Sequence, residues 1–215
     1  MMAGSRGQGP VIETVTRDGF EEAVDVLSDA FFDYPVMRFV IGRTGGDYAR
    51  RLRRLVAFFT EARFARQELV LAVVDRGQIA AVANINLPRR EPLEFAPGKD
   101  PLEPHRRSLW ADLGVEARGR YQAYGAAADR NSFPAPRYHL GMIGARRDAA
   151  GQGHARRLLE HLHALSESHP ESRGVSLSTE NPRNVSLYQH FGYRVVSHDE
   201  VGVGLETWGF FRDNG

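Results

Sequence analysis

The stretch that most constrains the fold is a glycine-rich turn between an apolar run and an amphipathic helix. Residues 138–145, YHLGMIGA, carry no acidic or strongly basic side chain and predict a buried strand. Residues 150–155, AGQGHA, follow, and apolar side chains then recur at helical spacing: Ala155, Leu158, Leu159, Leu162 and Leu165. Because free N–H groups and the positive end of the helix dipole meet at such a turn, we expect an anion site, with a phosphate as the ligand.

Known phosphate motifs can be tested against this turn. No Gly-Lys-Ser/Thr sequence of a Walker loop is present, and Arg156 stands where a dinucleotide fingerprint needs glycine or alanine. The turn therefore belongs to another kind of phosphate site.

A second informative segment is 181–193, NPRNVSLYQHFGY. Asn181 is a good N-cap, Pro182 suits the first helical position, and Gly192 predicts a left-handed C-terminal cap. Asn184 and Tyr188 are four residues apart, so they share a helix face. An amide and a phenol on one face could bind a peptide-like arm and donate a proton near its end.

Together these segments resemble the acetyl-CoA-binding core of the GNAT superfamily of N-acetyltransferases. The family's loop pattern, Arg/Gln-x-x-Gly-x-Gly/Ala, falls on residues 150–155, with Ala150 in place of the leading Arg/Gln; Asn-x-x-x-Tyr before Phe-Gly-Tyr matches at 184–193. The resemblance implies an α/β fold with a mixed, mostly antiparallel central sheet flanked by helices. It also implies acetyl transfer from acetyl-CoA to a primary amine of a small molecule or peptide, by direct attack on the thioester. Residues 31–35, the long segment 88–137 and residues 208–212 are similar to the puromycin-acetyltransferase-like branch.

The resemblance also implies the residues of the site. Tyr188 is expected to be the general acid, Ile143 and Ala145 to pair with the pantetheine arm, and Asn184 to bond the amides of that arm. The N–H near Ile143 would hold the thioester oxygen. The full set expected to bind acetyl-CoA is Met142, Ile143, Gly144, Ala145, Ala150, Gly151, Gln152, Gly153, His154, Ala155, Asn184 and Tyr188.

Several residues are candidates for the general base. Glu180 follows a predicted strand beside the expected thioester, although it could equally serve as a charge favoured by the following helix N-terminus. His139, Asp33 and Glu200 are further candidates, and His139 also fits a hydrogen-bonded core histidine. Water could instead remove the proton from the amine.

Length and composition limit the number of domains and the classes of function that the chain can have. The 215 residues predict one domain at 11–215, with an insertion at 88–137 after a flexible tail at 1–10. A net charge of +1 argues against a nucleic-acid binder, and the absence of cysteine excludes thiolate catalysis. His161 and His163 point to different sides of a helix, so we expect a solvated face and no metal. No signal peptide or apolar span of membrane length is visible, and we expect a cytoplasmic protein.

The other elements follow from periodicity and turn signals. We expect strands at 11–16, 69–75, 79–87, 175–179, 194–197 and 205–211, and helices at 18–31, 48–64 and 108–128. The predicted order is strand, two helices, three strands, helix, strand, helix, two strands.

Alternatives to an acetyltransferase remain at this stage. Because Ala150 replaces the Arg/Gln of the family pattern, one alternative is a catalytically silent acyl-CoA-binding sensor or subunit. Another alternative is nucleic-acid binding by the arginine cluster of Arg50, Arg51, Arg53 and Arg54. For these arginines a solvated helix face is the favoured interpretation. The acceptor is open, as is the oligomeric state, for which a homodimer is one option. Aromatic residues that could form an acceptor pocket or a core are Phe32, Tyr34, Phe39, Trp110 and Trp208.

Overall fold

The computed structural model of the chain describes residues 9–42, 46–91, 93, 95–96, 98–130, 133–202 and 204–215; most of the tail expected at 1–10 lies outside these ranges. The helices are α1 Phe20–Ala30, α2 Pro35–Ile41, α3 Tyr48–Ala65, α4 Glu103–Ala128, α5 His154–Ser168 and α6 Arg183–His190. The strands are β1 Val11–Thr14, β2 Leu69–Asp75, β3 Gln78–Asn86, β4 Tyr138–Ala145, β5 Gly174–Thr179, β6 Arg194–Gly202 and β7 Leu205–Asp213. Short 3₁₀ turns lie at Arg17–Gly19 and Arg147–Ala149.

The seven strands form one sheet in the order β1-β2-β3-β4-β5-β7-β6. Only the central β4–β5 pair is parallel; every other neighbouring pair is antiparallel. The mixed, mostly antiparallel sheet expected from the sequence is therefore confirmed.

Two apolar layers cover the two faces of this sheet. On one face, the buried sides of α1, α2, α3 and α4 pack together with side chains of β2 and β3. On the other face, Leu158, Leu159 and Leu162 of α5 pack against β3, β4 and β5. The helical spacing of these leucines explains the position of α5, because it places all three on one side of the helix.

β4 and β5 separate part-way along their length. They pair only at Tyr138↔Val175, His139↔Ser176 and Leu140↔Leu177. At the next residue, Gly141, β4 has a bulge against β3. The extra, unpaired residue reverses the face of the sheet to which the following side chains point. Leu140 accordingly faces the α5 layer, whereas Met142 faces the α1–α4 layer. Beyond the bulge, the edge of β4 that faces β5 has no ladder partner in the described sheet.

Three elements differ from the sequence-based expectation. Helix α2 is absent from the helices predicted at 18–31, 48–64 and 108–128. Pro35 occupies its first turn, where the missing N–H of proline costs nothing. Three α-helices therefore precede β2, not two. Helix α4 begins at Glu103 rather than 108 and is broken at Gly114, whose φ is 84°. Strand β6 extends to Gly202 because it pairs along β7, a contact between strands that local pattern does not report.

Within the predicted insertion at 88–137, helix α4 contributes to both the core and a cavity. Leu109, Leu113 and Ala117 of α4 are buried in the α1–α4 layer. Tyr121 and Tyr124, further along α4, line a cavity described below. The division into one domain stays a prediction.

The contact between α1 and β4 at Gly144 leaves no room for a side chain. A Cβ at Gly144 would lie 2.4 Å from the Cβ of Ala30. We predict that Gly144→Ala lowers the free energy of unfolding by about 1–3 kcal/mol, because α1 or β4 must shift. Gly119→Ala on α4, where a Cβ meets nothing within 4 Å, should be neutral or stabilising. Urea denaturation checks both, and equal stability of the two variants would contradict the close contact.

Candidate active site

A cavity of about 820 Å³ opens where β4 and β5 separate. Its walls come from β4 and the end of β5, from α6, and from the helices α2, α3 and α4. Four residues singled out in the sequence line it together: His139, Ile143, Glu180 and Tyr188. Asn184 lines it as well, so the amide and the phenol predicted to share a face of α6 do so.

Glu180 is the buried carboxylate of this cavity. It is 5% exposed, and its Oε1 accepts hydrogen bonds from Thr207 Oγ1 at 2.9 Å and from Tyr124 Oη at 3.2 Å. Burial raises the pKa of Glu180 to about 7, and the hydroxyl donors only partly offset that rise. A carboxyl group with such a pKa exchanges protons readily near neutrality.

Tyr188 lies beside Glu180 in the cavity wall and is 8% exposed. Its ring packs against Tyr193 and Phe210, with centroid separations of 5.7 and 5.6 Å. Burial, followed by the nearby Glu180 charge, raises the pKa of Tyr188 to about 12. The phenol therefore stays protonated at neutral pH and can act as a proton donor.

A hydroxyl network holds the end of β5 in place. Thr179 Oγ1 lies 2.7 Å from Tyr34 Oη and accepts a hydrogen bond from Asn184 Nδ2 at 3.1 Å. The backbone N–H of Glu180 donates to Tyr34 Oη at 3.3 Å. Asn181 Oδ1 accepts from the N–H of Arg183, as expected of a residue at a helix N-terminus, although the cap position itself falls on Pro182. These bonds orient Glu180 and α6 relative to one another.

The other candidate bases differ from Glu180 in their surroundings. His139 lines the cavity, and its Nδ1 lies 2.9 Å from Ser176 Oγ. Burial, with Arg63 and Arg137 nearby, lowers the pKa of His139 to about 3. Asp33 is exposed and paired with Arg38, and Glu200 is exposed on β6; neither lines the cavity. Glu180 is thus the carboxylate that the fold brings to Tyr188.

The glycine-rich turn has the geometry expected of an anion site. Gly151 and Gly153 have φ of 78° and 81°, values that favour glycine, and α5 starts immediately afterwards at His154. No side chain caps the N-terminus of α5. His154 is 3% exposed, and its ring nitrogens have no hydrogen-bond partner among the described residues. The residues of the turn are not part of the cavity lining. Strand β4 connects the cavity to the turn, since Ile143 lies in the cavity wall and Ala145 ends the strand shortly before the turn.

Arginine side chains border the part of the cavity nearest Gly141. Arg63 of α3 lies against that glycine, since a Cβ there would be 2.3 Å from Arg63 Nη2. Burial lowers the pKa of Arg63 to about 10, so it remains charged at neutral pH. Arg137 also lines the cavity, and its Nε donates to Ser176 Oγ at 2.9 Å. Sequence analysis missed Arg63, whose position in the last turn of α3 is its only local signal.

The five aromatic residues considered for a pocket or a core all pack against the core, and Tyr34 lines the cavity as well. Trp208 also stacks on His198 at a centroid distance of 4.7 Å. The tyrosines that line the cavity from α4, Tyr121 and Tyr124, were not singled out. The helix face of His161 and His163 is not uniformly solvated, because His163 is buried and lies 2.9 Å from Tyr193 Oη.

The cluster of arginines on α3 is engaged with acidic partners. Arg50 contacts Asp47 and Asp112, and Arg53 contacts Glu21 and Asp25. The solvated helix face favoured in the sequence analysis is observed, and the structure adds these ion pairs to it. Among the described residues, no group of three or more His, Asp or Glu could hold a metal ion, and no helix is long and apolar enough to cross a membrane.

Comparison with known proteins agrees with this architecture. The model of the acetyltransferase (GNAT) family matches residues 43–193. Among solved structures, the chain is similar to a histone acetyltransferase HPA2 and related acetyltransferase from Corynebacterium glutamicum, with a TM-score of 0.67, 20% identity, and coverage of 96% of this chain and 97% of that one. The arylalkylamine N-acetyltransferase 2 of Aedes aegypti gives a TM-score of 0.66 and 12% identity, covering 97% and 100%. The ribosomal-protein-S18-alanine N-acetyltransferase of Escherichia coli gives 0.54 and 13%, covering 96% and 94%. These likenesses show a shared fold.

The raised pKa of Glu180 has a consequence for stability. Because the folded-state pKa of about 7 lies above the ordinary value of 4.5, the folded protein binds this proton more tightly than the unfolded chain, and stability falls as pH rises from 4.5 to 7. The Glu180→Gln variant lacks this titrating group and therefore this loss of stability. We predict that its free energy of unfolding, minus that of wild type, increases by at most roughly 3 kcal/mol between pH 4.5 and 7 and is constant above pH 7.

Urea denaturation at pH 4.5, 6 and 8 measures this difference. Glu200→Gln, which removes an exposed carboxylate outside the cavity, serves as the control for charge loss. Parallel stability curves for wild type and Glu180→Gln across these pH values would contradict a buried, proton-binding Glu180.

Proposed function

Since this chain belongs to the acetyltransferase (GNAT) family, we propose that it transfers an acetyl group from acetyl-CoA to a primary amine held in the cavity between β4 and β5. The observation that carries the proposal is the meeting of Glu180 and Tyr188 in that cavity, beside the unpaired edge of β4. One group there can accept a proton near neutral pH, and the other can donate one.

The donor would bind along the turn and β4. The backbone N–H groups of residues 151–155 lie at the positive end of α5 and suit the pyrophosphate of acetyl-CoA, although the N–H of Gln152 makes a long bond, 3.4 Å, to the carbonyl oxygen of Ala149. A Cβ at Gly151 or Gly153 would meet nothing within 4 Å, so the outer side of the turn is open to a ligand. Ala150 lacks the polar side chain that Arg or Gln supplies in the family pattern, but the backbone N–H groups of the turn are still present.

The edge of β4 that faces β5 suits an extended, amide-bearing arm. Its backbone N–H and C=O groups from 141 to 145 have no partner strand, so a pantetheine arm can add to the sheet as a short strand does. In this arrangement the backbone groups of Ile143 and Ala145 pair with the arm. The Met142 side chain and the Cα of Gly144 face the α1–α4 layer. Asn184, at the cavity wall, is placed to bond an amide of the arm.

Glu180 would remove the proton from the amine. Acetyl-CoA supplies the acetyl thioester, whose carbonyl carbon forms the new C–N bond as its C–S bond breaks. Glu180 is fixed by Thr207 and Tyr124, lies in the same cavity as Ile143, and has a pKa that allows it to receive a proton at neutral pH. The N–H near Ile143 is the donor available to the carbonyl oxygen.

Tyr188 would supply a proton to the departing sulfur. Its pKa of about 12 keeps the phenol protonated at neutral pH, so its O–H can donate to the sulfur as negative charge develops there. The proton that Glu180 takes from the amine balances the proton that Tyr188 gives to sulfur, and solvent restores both groups.

Calorimetric titration with acetyl-CoA, combined with thiol release in the presence of a panel of primary amines, tests the proposal. Binding with turnover is the expected result. Binding without turnover on any amine would instead support an acyl-CoA sensor, and absence of binding would reject the donor site.

We predict that Tyr188→Phe lowers kcat by about 10²- to 10⁴-fold while the Kd for acetyl-CoA changes little, because the change removes a proton and almost no packing. Tyr193→Phe is the matched control: it removes a phenol oxygen from a buried ring in contact with Tyr188, and that oxygen bonds His163 outside the cavity. Equal losses of kcat and donor affinity in Tyr188→Phe would make Tyr188 a structural residue.

We predict that Gly153→Val weakens acetyl-CoA binding by at least tenfold, because its side chain fills the approach to the turn and its φ of 81° disfavours valine. Gly77→Val controls for backbone strain. Gly77 has a φ of 78° and open surroundings, but it lies in the β2–β3 hairpin. Unchanged donor affinity in Gly153→Val, measured by calorimetry, would refute the assignment of the turn.

A further inference from the structure

The cavity carries an arginine that the proposed chemistry does not use. Arg63 lines the cavity, and the surrounding protein leaves its Nε buried with no hydrogen-bond partner among the described residues. Its Nη1 makes one long contact, 3.4 Å, to the carbonyl oxygen of Phe59. A guanidinium has five N–H donors, so most of its capacity is unused within the described part of the chain.

Among the described residues, two of the four other arginines that line the cavity have a carboxylate partner. Arg89 lies 3.4 Å from Glu68, and Arg90 lies 2.7 Å from Glu171. Arg63 has no such ion pair among the described residues, although Glu68 is near enough to affect its pKa. A buried, charged group without a counter-ion is costly, and the C-terminal end of α3 compensates for only part of that cost.

A second arginine, Arg137, also lines the cavity. Arg63 and Arg137 both contribute to lowering the pKa of His139. That histidine is neutral at neutral pH and can supply no negative charge. Within this cavity Arg63 lies against Gly141 and Glu180 lies at the end of β5. The rest of the lining carries charges of both signs, from Arg66, Arg89, Arg90, Glu68, Glu91 and Asp129.

Arg63 lies near the position expected for the thioester, since both are next to β4. Arg63 Nη2 lies against Gly141, and Ile143, the expected neighbour of the thioester, is two residues further along β4. Two residues of strand span about 7 Å. A planar guanidinium matches a carboxylate or phosphate with two parallel hydrogen bonds.

We propose that the acceptor is a small amine that also carries an anionic group, a carboxylate or a phosphate, bound by Arg63 while its amine faces Glu180. This inference rests on the proposed acetyl transfer and names the substrate class of the same cavity. Arg137 adds positive charge to the cavity, and Tyr121 and Tyr124, one helical turn apart on α4, also line it.

Matched amine pairs test the proposal on the wild-type protein. L-amino acids and short ω-amino acids are compared with their amides, and O-phosphoethanolamine with ethanolamine, in the thiol-release assay. We expect kcat/KM to be about 10- to 100-fold higher for the anionic member of at least one pair, as for a charged hydrogen bond at a buried site. The carboxylate and phosphate pairs show which anion is bound.

Arg63→Met should remove that preference. We expect kcat/KM for the anionic amine to fall by about 10- to 100-fold, mainly through KM, while the rate with its neutral partner and the Kd for acetyl-CoA are retained. Arg63→Lys keeps a charge without the planar fork and should restore part of the preference. Arg54→Met is the control, since Arg54 lies on the same helix, outside the cavity, paired with Asp112.

The outcomes separate this inference from the proposed function. Turnover that is equal or better with the neutral amines, or equal loss on both members of a pair in Arg63→Met, would overturn the anionic acceptor and leave acetyl transfer intact. Absence of acetyl-CoA binding, or of thiol release with every amine, would overturn both. Because the amine pairs use the unmodified protein, the test holds even if Arg63→Met fails to fold.

Discussion

The separation of β4 and β5 after three paired residues is the constraint on which the rest of the site depends. A parallel pair that continued to the ends of both strands would close the sheet centre and satisfy its backbone groups. The bulge at Gly141 instead turns β4 away, exposes an edge for an extended ligand, and opens the cavity lined by Glu180 and Tyr188. Gly141 has no side chain there, and the guanidinium of Arg63 occupies the space a Cβ would take.

The environment of the cavity assigns different tasks to chemically ordinary groups. Burial raises the pKa of Glu180 to about 7 and that of Tyr188 to about 12, so one group is near its titration point and the other is held protonated. Burial, followed by the nearby charges of Arg63 and Arg137, lowers the pKa of His139 to about 3. A histidine with so low a pKa is a weak base near neutral pH, and Glu180 takes that role in the proposed reaction.

The sheet-covering helices do more than bury apolar surface. Helix α3 carries its buried leucines on one side, its ion-paired arginines on another, and Arg63 in its last turn at the cavity. Helix α4 likewise packs Leu109 and Leu113 into the core before presenting Tyr121 and Tyr124 to the cavity. The proposed acceptor end is thus built from segments outside the glycine-rich turn and α6, the segments to which the proposed donor site belongs.

The sequence by itself determined the elements whose signals are local: the glycine turn and α5, the α6 segment with Asn184 and Tyr188, and the strands of the central sheet. Spacing and turn chemistry act over a few residues, so these could be read directly. Tertiary structure alone decided that Glu180 is buried beside Tyr188 and hydrogen-bonded by Tyr124 and Thr207, since those partners lie 56 and 27 residues away in the chain. It also decided that Arg63 reaches the cavity without an ion pair among the described residues, because burial and pairing are properties of packing and leave no mark on local sequence.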